Sequence, residues 1–373
     1  MTEPEPLQQL DRTYVRYRNR KLSYFSGCDY FRLGSHPEVT KALETGLRKF
    51  GLNVAASRLT TGNHALYQEL ERRLGNFFEA EAALLAGNGY VTNLIVCQTL
   101  AGTFSHALID ERSHPSLGDA ARFLDCPVIT FQHRDISDLE RVVGRCGPGA
   151  KLLVLTDGMF SHNGSAAPLD KYLRVLPRDG SLLVDDAHGA GVLGKTGKGT
   201  LEHTGTGRKR IIQTVTLSKA FGTYGGAILG TRALRQKILE RSRLFIGHTP
   251  LPLPLANAAL KAVQVLREDK GIRQRLTNKA ARVKEALAGD VARTPGPIVS
   301  IKLAEESESK RFREALVEKR IYPPFIVYPG GSARRDTGRY QGYFRFVISS
   351  EHTGKQLDAL MEVLRTVGLT ADV

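Results

Sequence analysis

The stretch that decides the fold is 214-TVTLSKAFGTYGGAILG-230, an apolar β-like run that ends on Ser218 and Lys219 and passes into a glycine-rich segment. Desolvating an ammonium is expensive, so a lysine at the edge of a run about to be buried needs a chemical reason to be there. Upstream, 181-SLLVDDAHGAGVLG-194 repeats the pattern: an apolar strand ends on Asp185 and Asp186, with His188 three residues past Asp185. Charged residues at successive strand ends point to a parallel sheet, where ligands collect at the carboxyl ends of the strands. The bland alternative for the aspartate pair is an ion-pair anchor.

Working outward, "AALLAGNGYVTN" reads as a strand, a turn holding Gly87, Asn88, Gly89 and Tyr90, and the start of a helix. The N–H groups and dipole of such a helix start favour a phosphate. "HALID", "PVITF" and "KLLVLTDGMF" are further short apolar runs separated by helix-length segments, which predicts an α/β fold with a mostly parallel, helix-covered sheet. "HPEVTKALETGLRKFG" and "HALYQELERRLGNFFE" read as amphipathic helices. Past "HTPLPLPLANAAL" a long basic helix is expected from about 255 to 288. It is followed by the strands "GPIVSIKL" and "GYFRFVIS", a helix around 310–319 and a C-terminal helix, together a smaller α+β domain. The expected division is an N-terminal segment 1–40, a large domain 41–254 and a small domain 255–373.

The 373 residues are 41% hydrophobic and 24% charged, ordinary for a globular protein. No apolar run approaches the roughly 18–20 residues of a membrane span, and the N-terminus lacks a signal-like apolar core, so a cytoplasmic location without membrane partners is expected. The four cysteines (Cys28, Cys97, Cys126, Cys146) form no C-x-x-C pair, which argues against a disulfide framework or a cysteine metal site. The net charge of +15 suits a polyanion, either a nucleotide-bearing substrate or nucleic acid, or simply a solvated basic surface.

A lysine, a strand-end carboxylate and a phosphate-binding turn are together what pyridoxal 5'-phosphate (PLP) requires: an amine to hold it, an acid for its ring nitrogen and a cradle for its phosphate. On the blocks "DERSHPSLGDA", "TDGMFSHNGSAAPL", "VDDAHGAGVLGKTGKG", "TLSKAFGTYGG", "HTPLPLPLANAAL" and "YFRFVISSEHT", the chain resembles the α-oxoamine synthases, a branch of the fold-type-I PLP-dependent transferases, from about Asp29 to the C-terminus. The resemblance implies that Lys219 binds the cofactor and later moves the substrate Cα proton, and that Asp185 pairs with the ring nitrogen. It places His188 and Ser161 near the ring 3-oxygen and stacks His114 on the ring. It assigns the phosphate to Thr216, Asn88, Gly89 and Tyr90, with Thr249 reaching across from a second subunit of a homodimer. Arg345 would clamp the amino-acid carboxylate as a bidentate pair.

The activity so implied is a decarboxylative condensation of a small α-amino acid with an acyl-CoA or other acyl thioester, with no metal and no nucleic-acid partner. Bland readings stand beside these: His114 as a turn residue, Ser161 as a helix cap, Arg345 in a structural ion pair, and His64 capping or packing. The family pattern is broken at Cys28 and at Phe31–Arg32, where a change of acyl pocket is expected. It is broken also at Ala55–Ala56, where the family has glycine, and at Asp157, where glutamate is common. Competing functions are an aminotransferase or lyase on the same fold, and a non-enzymatic polyanion-binding relative.

Overall fold

The computed structural model describes residues 5–287, 290–303, 305–327 and 342–366. Its strands in chain order are β1 (Gln8–Gln9), β2 (Tyr14–Tyr17), β3 (Arg20–Ser23), β4 (Ala82–Ala86), β5 (His106–Asp110), β6 (Val128–Phe131), β7 (Leu152–Asp157), β8 (Ser181–Asp185), β9 (Ile211–Thr216), β10 (Gly226–Gly230), β11 (Ile298–Ile301), β12 (Phe325–Val327) and β13 (Gly342–Val347). The chain divides into a larger unit, 36–160 with 166–270, and a smaller one, 1–35 with 161–165 and 271–373.

The larger unit is built on a seven-stranded sheet of order β4-β10-β9-β8-β7-β5-β6. Pairing is parallel from β9 through β6, and β10 is antiparallel to both of its neighbours, so β10 alone opposes the common direction. Side chains alternate between two apolar layers. Leu153, Leu155 and Leu183 join one with Ile95, Val96 and Leu117, while Leu152, Val154, Leu182 and Val184 join the other with Leu139, Val142 and Tyr172. Both faces of the central strands are therefore dry, which explains their unbroken apolar runs. The expected mostly parallel sheet is present. Strand β10 was not anticipated, because its glycine-bounded GAILG is too short to show a period.

The smaller unit carries two antiparallel three-stranded sheets, β1-β2-β3 and β11-β13-β12. Its core gathers Val299, Ile301, Phe344 and Phe346 from the second sheet, with Val283, Phe312, Leu316, Leu357 and Leu360 from the covering helices.

Two boundaries differ from those expected. The N-terminal segment is part of the smaller unit, because its backbone is tied there: Ser23 N–H donates to Arg320 O (2.7 Å), Tyr322 N–H to Ser23 O (3.0 Å) and Val347 N–H to Phe25 O (2.9 Å). The long helix expected over 255–288 is two, Leu253–Glu268 and Ile272–Lys284. The first belongs to the larger unit, against helix Pro37–Phe50. There Asn257 Nδ2 donates to Ala42 O (2.7 Å), and a Cβ on Gly46 would come within 2.9 Å of Asn257 Cβ. The units thus part at 270/271 and not at 254/255.

Candidate active site

Parallel strands bring their carboxyl ends to one edge, and Asp185, Thr216 and Lys219 follow from strands that end there. Asp157 closes β7, Asp185 closes β8 and Thr216 closes β9, with Asp157 opposite Asp185 and Asp185 opposite Thr214 in register. Lys219 follows three residues after β9, half-buried, with Nζ 2.8 Å from Nε2 of the buried His188. The structure thus joins two residues that lie 31 apart in the chain.

The paired aspartates separate into two environments. Asp185 Oδ2 accepts from Asn93 Nδ2 (2.6 Å) and lies 3.4 Å from Ser116 Oγ, while Oδ1 accepts from Ala187 N–H (3.1 Å). Asp186 points elsewhere. It accepts from Thr200 Oγ1 (2.7 Å), Thr200 N–H (2.9 Å) and Gln213 Nε2 (2.7 Å), and burial pushes its carboxyl up to about 6. A Cβ at Gly158, Gly189 or Gly199 would collide with this carboxylate, so these three glycines, the last two from the DDAHGAGVLGKTGKG block, are the space Asp186 needs. Asp186 is the structural aspartate, and Asp185 is the one on the Lys219 side of the cluster.

His114 caps helix Pro115–Ala121, with Nδ1 accepting from Ser116 N–H (3.2 Å) and 2.8 Å from Ser116 Oγ. Its own N–H donates to Asp157 Oδ1 (2.9 Å). Burial lowers the His114 pKa and the Lys219 charge lowers it further, while Asp185 opposes them. Burial together with the Asp185 charge drives the Asp157 carboxyl well above the carboxylate range. The turn-residue reading of His114 is therefore true of its backbone, while its ring bonds Ser116 and also feels the charges of Asp185 and Lys219.

The glycine turn forms the other wall. Asn88 caps helix Gly89–Thr99 through Val91 N–H (3.0 Å). A Cβ on Gly89 would lie 2.8 Å from Thr216 Cβ and 3.1 Å from Thr216 Oγ1, so only glycine lets the helix start rest on Thr216. The first N–H groups of a helix have no intrahelical acceptor and suit an anion. Tyr90 is exposed, sits edge-on to His114 with ring centroids 6.2 Å apart, and bonds Asp119 through its hydroxyl. Thr249 is exposed beyond helix Arg243–Gly247. An amine on an imidazole, a hydrogen-bonded carboxylate and a helix start bared by glycine fit PLP in its three chemically distinct parts.

In the smaller unit, Arg345 on β13 donates from Nε to Ser161 O (2.5 Å) and faces Cys28 Sγ from Nη2 (3.6 Å). Its pKa is raised: burial opposes the charge, and the neighbouring Cys28 and Tyr30 outweigh that. Ser161 takes part through its carbonyl and caps no helix.

The departures from the family pattern now have locations. Phe31 is fully buried, and Arg32 is buried with Nη2 donating to Tyr24 O (3.1 Å) and Ser26 O (3.3 Å). Both pack within the smaller unit. Ala55 holds φ +48°, the left-handed region that glycine adopts freely, with its N–H on Asn53 Oδ1 (2.8 Å). Asp157 is the acceptor for His114 N–H, and His64 is a helix cap, accepting from Leu66 N–H (3.1 Å). All four cysteines are free. No helix among the described residues is long and apolar enough to cross a membrane.

Sequence reasoning missed Asn93, Ser116 and Thr214, three buried polar residues that join Asp185 to His114. The available signal was Asn93, polar in an otherwise apolar helix face one turn after Gly89.

Residues 27–364 match the family model for aminotransferase class I and II. The chain is 34% identical over 354 residues to the 8-amino-7-oxononanoate synthase of Thioalkalivibrio sulfidiphilus, covering 92% of this chain and 88% of that one. It is 32% identical over 359 residues to 8-amino-7-oxononanoate synthase 1 of Bacillus velezensis, covering 94% and 90%. A serine palmitoyltransferase from S. paucimobilis, solved with a PLP–myriocin aldimine, superposes with TM-score 0.89 over 98% of this chain and 93% of that one, at 24% identity, a likeness of fold. The sheet order, the strand-end cluster and this agreement along the whole chain place the protein in the aminotransferase class I and II family, among its PLP-dependent α-oxoamine synthases.

Proposed function

We propose that the protein condenses a small α-amino acid (alanine, glycine or serine) with an acyl-CoA or other acyl thioester, releasing carbon dioxide and the thiol and leaving an α-aminoketone. The nearest specific activity is that of an 8-amino-7-oxononanoate synthase, the name its curated relatives carry. The observation that carries the reading is Lys219 Nζ, 2.8 Å from His188 Nε2, at the same sheet edge as the hydrogen-bonded Asp185.

PLP, when bound, supplies an electron sink for the charge left as the amino acid loses its Cα proton. Every other task falls to the chain. Lys219 holds the cofactor and, once displaced by the amino acid, its free amine takes the Cα proton at Nζ. His188 keeps that amine oriented. Asp185, oriented by bonds from Asn93 and Ala187 N–H, faces the ring nitrogen. The Gly89 helix start, with Asn88, Tyr90 and Thr216, takes the phosphate, and Thr249 reaches the site of a second copy in a homodimer. Ser161 and His188 serve the ring 3-oxygen, and His114 lies on the ring. Arg345 takes the substrate carboxylate with its remaining N–H groups, its Nε being engaged by Ser161 O and one Nη facing the Cys28 thiol, a weak acceptor. The basic surface suits the phosphates of CoA.

The test is an absorbance spectrum of the PLP-loaded protein, followed by assays with glycine, L-alanine and L-serine in turn, each with an acyl-CoA. A band near about 420 nm that Lys219→Ala removes, and equal release of thiol and carbon dioxide with one amino acid, are expected. Conversion of the cofactor to its amine form without thiol release would assign an aminotransferase instead. Salt-sensitive DNA binding by a protein that takes up no PLP would assign the polyanion-binding reading.

A further inference from the structure

The hydrogen bonds behind His114 run in one direction, and they determine where its proton sits. Asn93 is fully buried between Asp185 and Thr214. The atom it places 2.6 Å from Asp185 Oδ2 faces a carboxylate and so must be the amide nitrogen. Its amide oxygen then accepts from Thr214 Oγ1 (2.7 Å), and its second N–H donates to Ser116 Oγ (2.9 Å). Ser116, also fully buried, accepts this bond and has one proton left to give. His114 Nδ1 lies at 2.8 Å from that hydroxyl, and Asp185 Oδ2 at 3.4 Å, so the proton goes to the imidazole. Nδ1 accepts a second bond from Ser116 N–H at 3.2 Å. Two donors converge on one ring nitrogen, which therefore carries a lone pair.

We propose that Ser116 and Asn93 are positioning residues that hold His114 as its neutral Nε2–H tautomer, so that it meets the substrate as a hydrogen-bond donor and not as a base. The proposal rests on the condensation reading above and assigns His114 a role within it. As the thioester carbonyl is attacked its oxygen gains negative charge, and a fixed N–H donor stabilises that oxygen without giving up its proton. A lone pair at Nε2 would repel it. The charged and titratable groups around the ring are Asp185, which favours protonation, Lys219, which opposes it, Asp157, which takes the His114 main-chain N–H, and the edge of Tyr90. Protonating Nδ1 would break both of the bonds it accepts, so the network and the burial act in the same direction.

The experiment is a long-range proton–nitrogen correlation spectrum of the PLP-loaded protein labelled with 15N-histidine, which reads the proton at each ring nitrogen without turnover. His114→Asn identifies the resonances. The expected result is a proton on Nε2 and none on Nδ1 throughout the range from about pH 8 to about pH 5 that brackets ordinary histidine titration. In Ser116→Ala, one donor to Nδ1 is gone and protonation should begin about 0.5–1 pH unit higher. Ser116→Thr, which restores the hydroxyl, should return it toward the wild type. A proton on Nδ1, or an imidazolium at neutral pH, in the wild-type spectrum alone would overturn the proposal, whatever the variants do. A protein that shows the Nε2–H pattern and the cofactor band but releases no thiol with any amino acid would instead overturn the condensation reading.

Discussion

Asp186→Asn should leave the protein about as stable as the wild type near neutral pH, although it removes a fully buried charge bound by three donors. Burial raises the Asp186 carboxyl from 3.8 to about 6, a net effect that already credits the bonds from Thr200 and Gln213. At pH 7 the ionised form therefore costs the fold about 3 kcal/mol relative to a neutral side chain. Asparagine avoids that cost and can keep its oxygen toward Thr200 N–H and Gln213 Nε2, turning its amide nitrogen to Thr200 Oγ1, which can accept. One N–H is left unmatched in a space walled by Gly158, Gly189 and Gly199, costing about 1–3 kcal/mol. The two terms nearly cancel.

The sign of the pH dependence follows. A carboxyl whose folded pKa is raised contributes stability that is present below 3.8 and lost as pH climbs through about 6. The stability of the wild type minus that of Asp186→Asn should thus fall by about 1–2 kcal/mol between about pH 5 and 8. Urea unfolding of both proteins across that range measures it. The PLP absorbance of Asp186→Asn should be unchanged, whereas Asp185→Asn should alter the absorbance. A loss of more than about 3 kcal/mol in Asp186→Asn at pH 7, with no change in pH slope, would refute this assignment of the two aspartates.

Three further outcomes are expected. Gly89→Ala drives a Cβ to 2.8 Å from Thr216 Cβ, an overpacking of about 1–3 kcal/mol that should weaken PLP binding roughly 5- to 150-fold in an absorbance titration; unchanged affinity would show that the helix start does not hold the phosphate. Glu71 pairs with Arg58 in the buried interior of the larger unit and accepts Leu85 N–H at 2.9 Å, so Glu71→Ala should cost about 3–5 kcal/mol by denaturant titration. His352 is fully buried, ring-stacked on Phe25 at 4.1 Å, and burial depresses its pKa from 6.5 to about 3. Stability from this group is present above 6.5 and is lost toward pH 3, at up to about 1.4 kcal/mol per pH unit, and His352→Gln should flatten that acid limb of the unfolding curve.

Much of this protein is written locally. The apolar runs of β7, β8 and β9 need both faces covered, which points to a parallel sheet with helices on each side. The charged residues that close β8 and follow β9 must then meet at one edge, and so Lys219, Asp185 and His188 could be picked out together. The glycines around Asp186 and at Gly89 were visible as motif. What they make room for was not, since a close approach has no period and no composition.

Only the tertiary structure decided the rest. Strand β10 runs against its neighbours because pairing partners, and not its five residues, set its direction. The basic helix breaks at 269–271, where one half packs on helix Pro37–Phe50 and the other covers a different core. Residues 5–35 join the unit of the distant segment from 271 onward through main-chain bonds, which side-chain patterns do not announce. The same reason hides the state of His114. Sequence supplies the imidazole, but where its proton sits depends on Asn93, Ser116 and Thr214, which come from two helices and a strand and meet only when the sheet edge is assembled. Periodicity records which face of an element is buried, whereas the direction of a hydrogen bond is a property of the partners that folding brings to it.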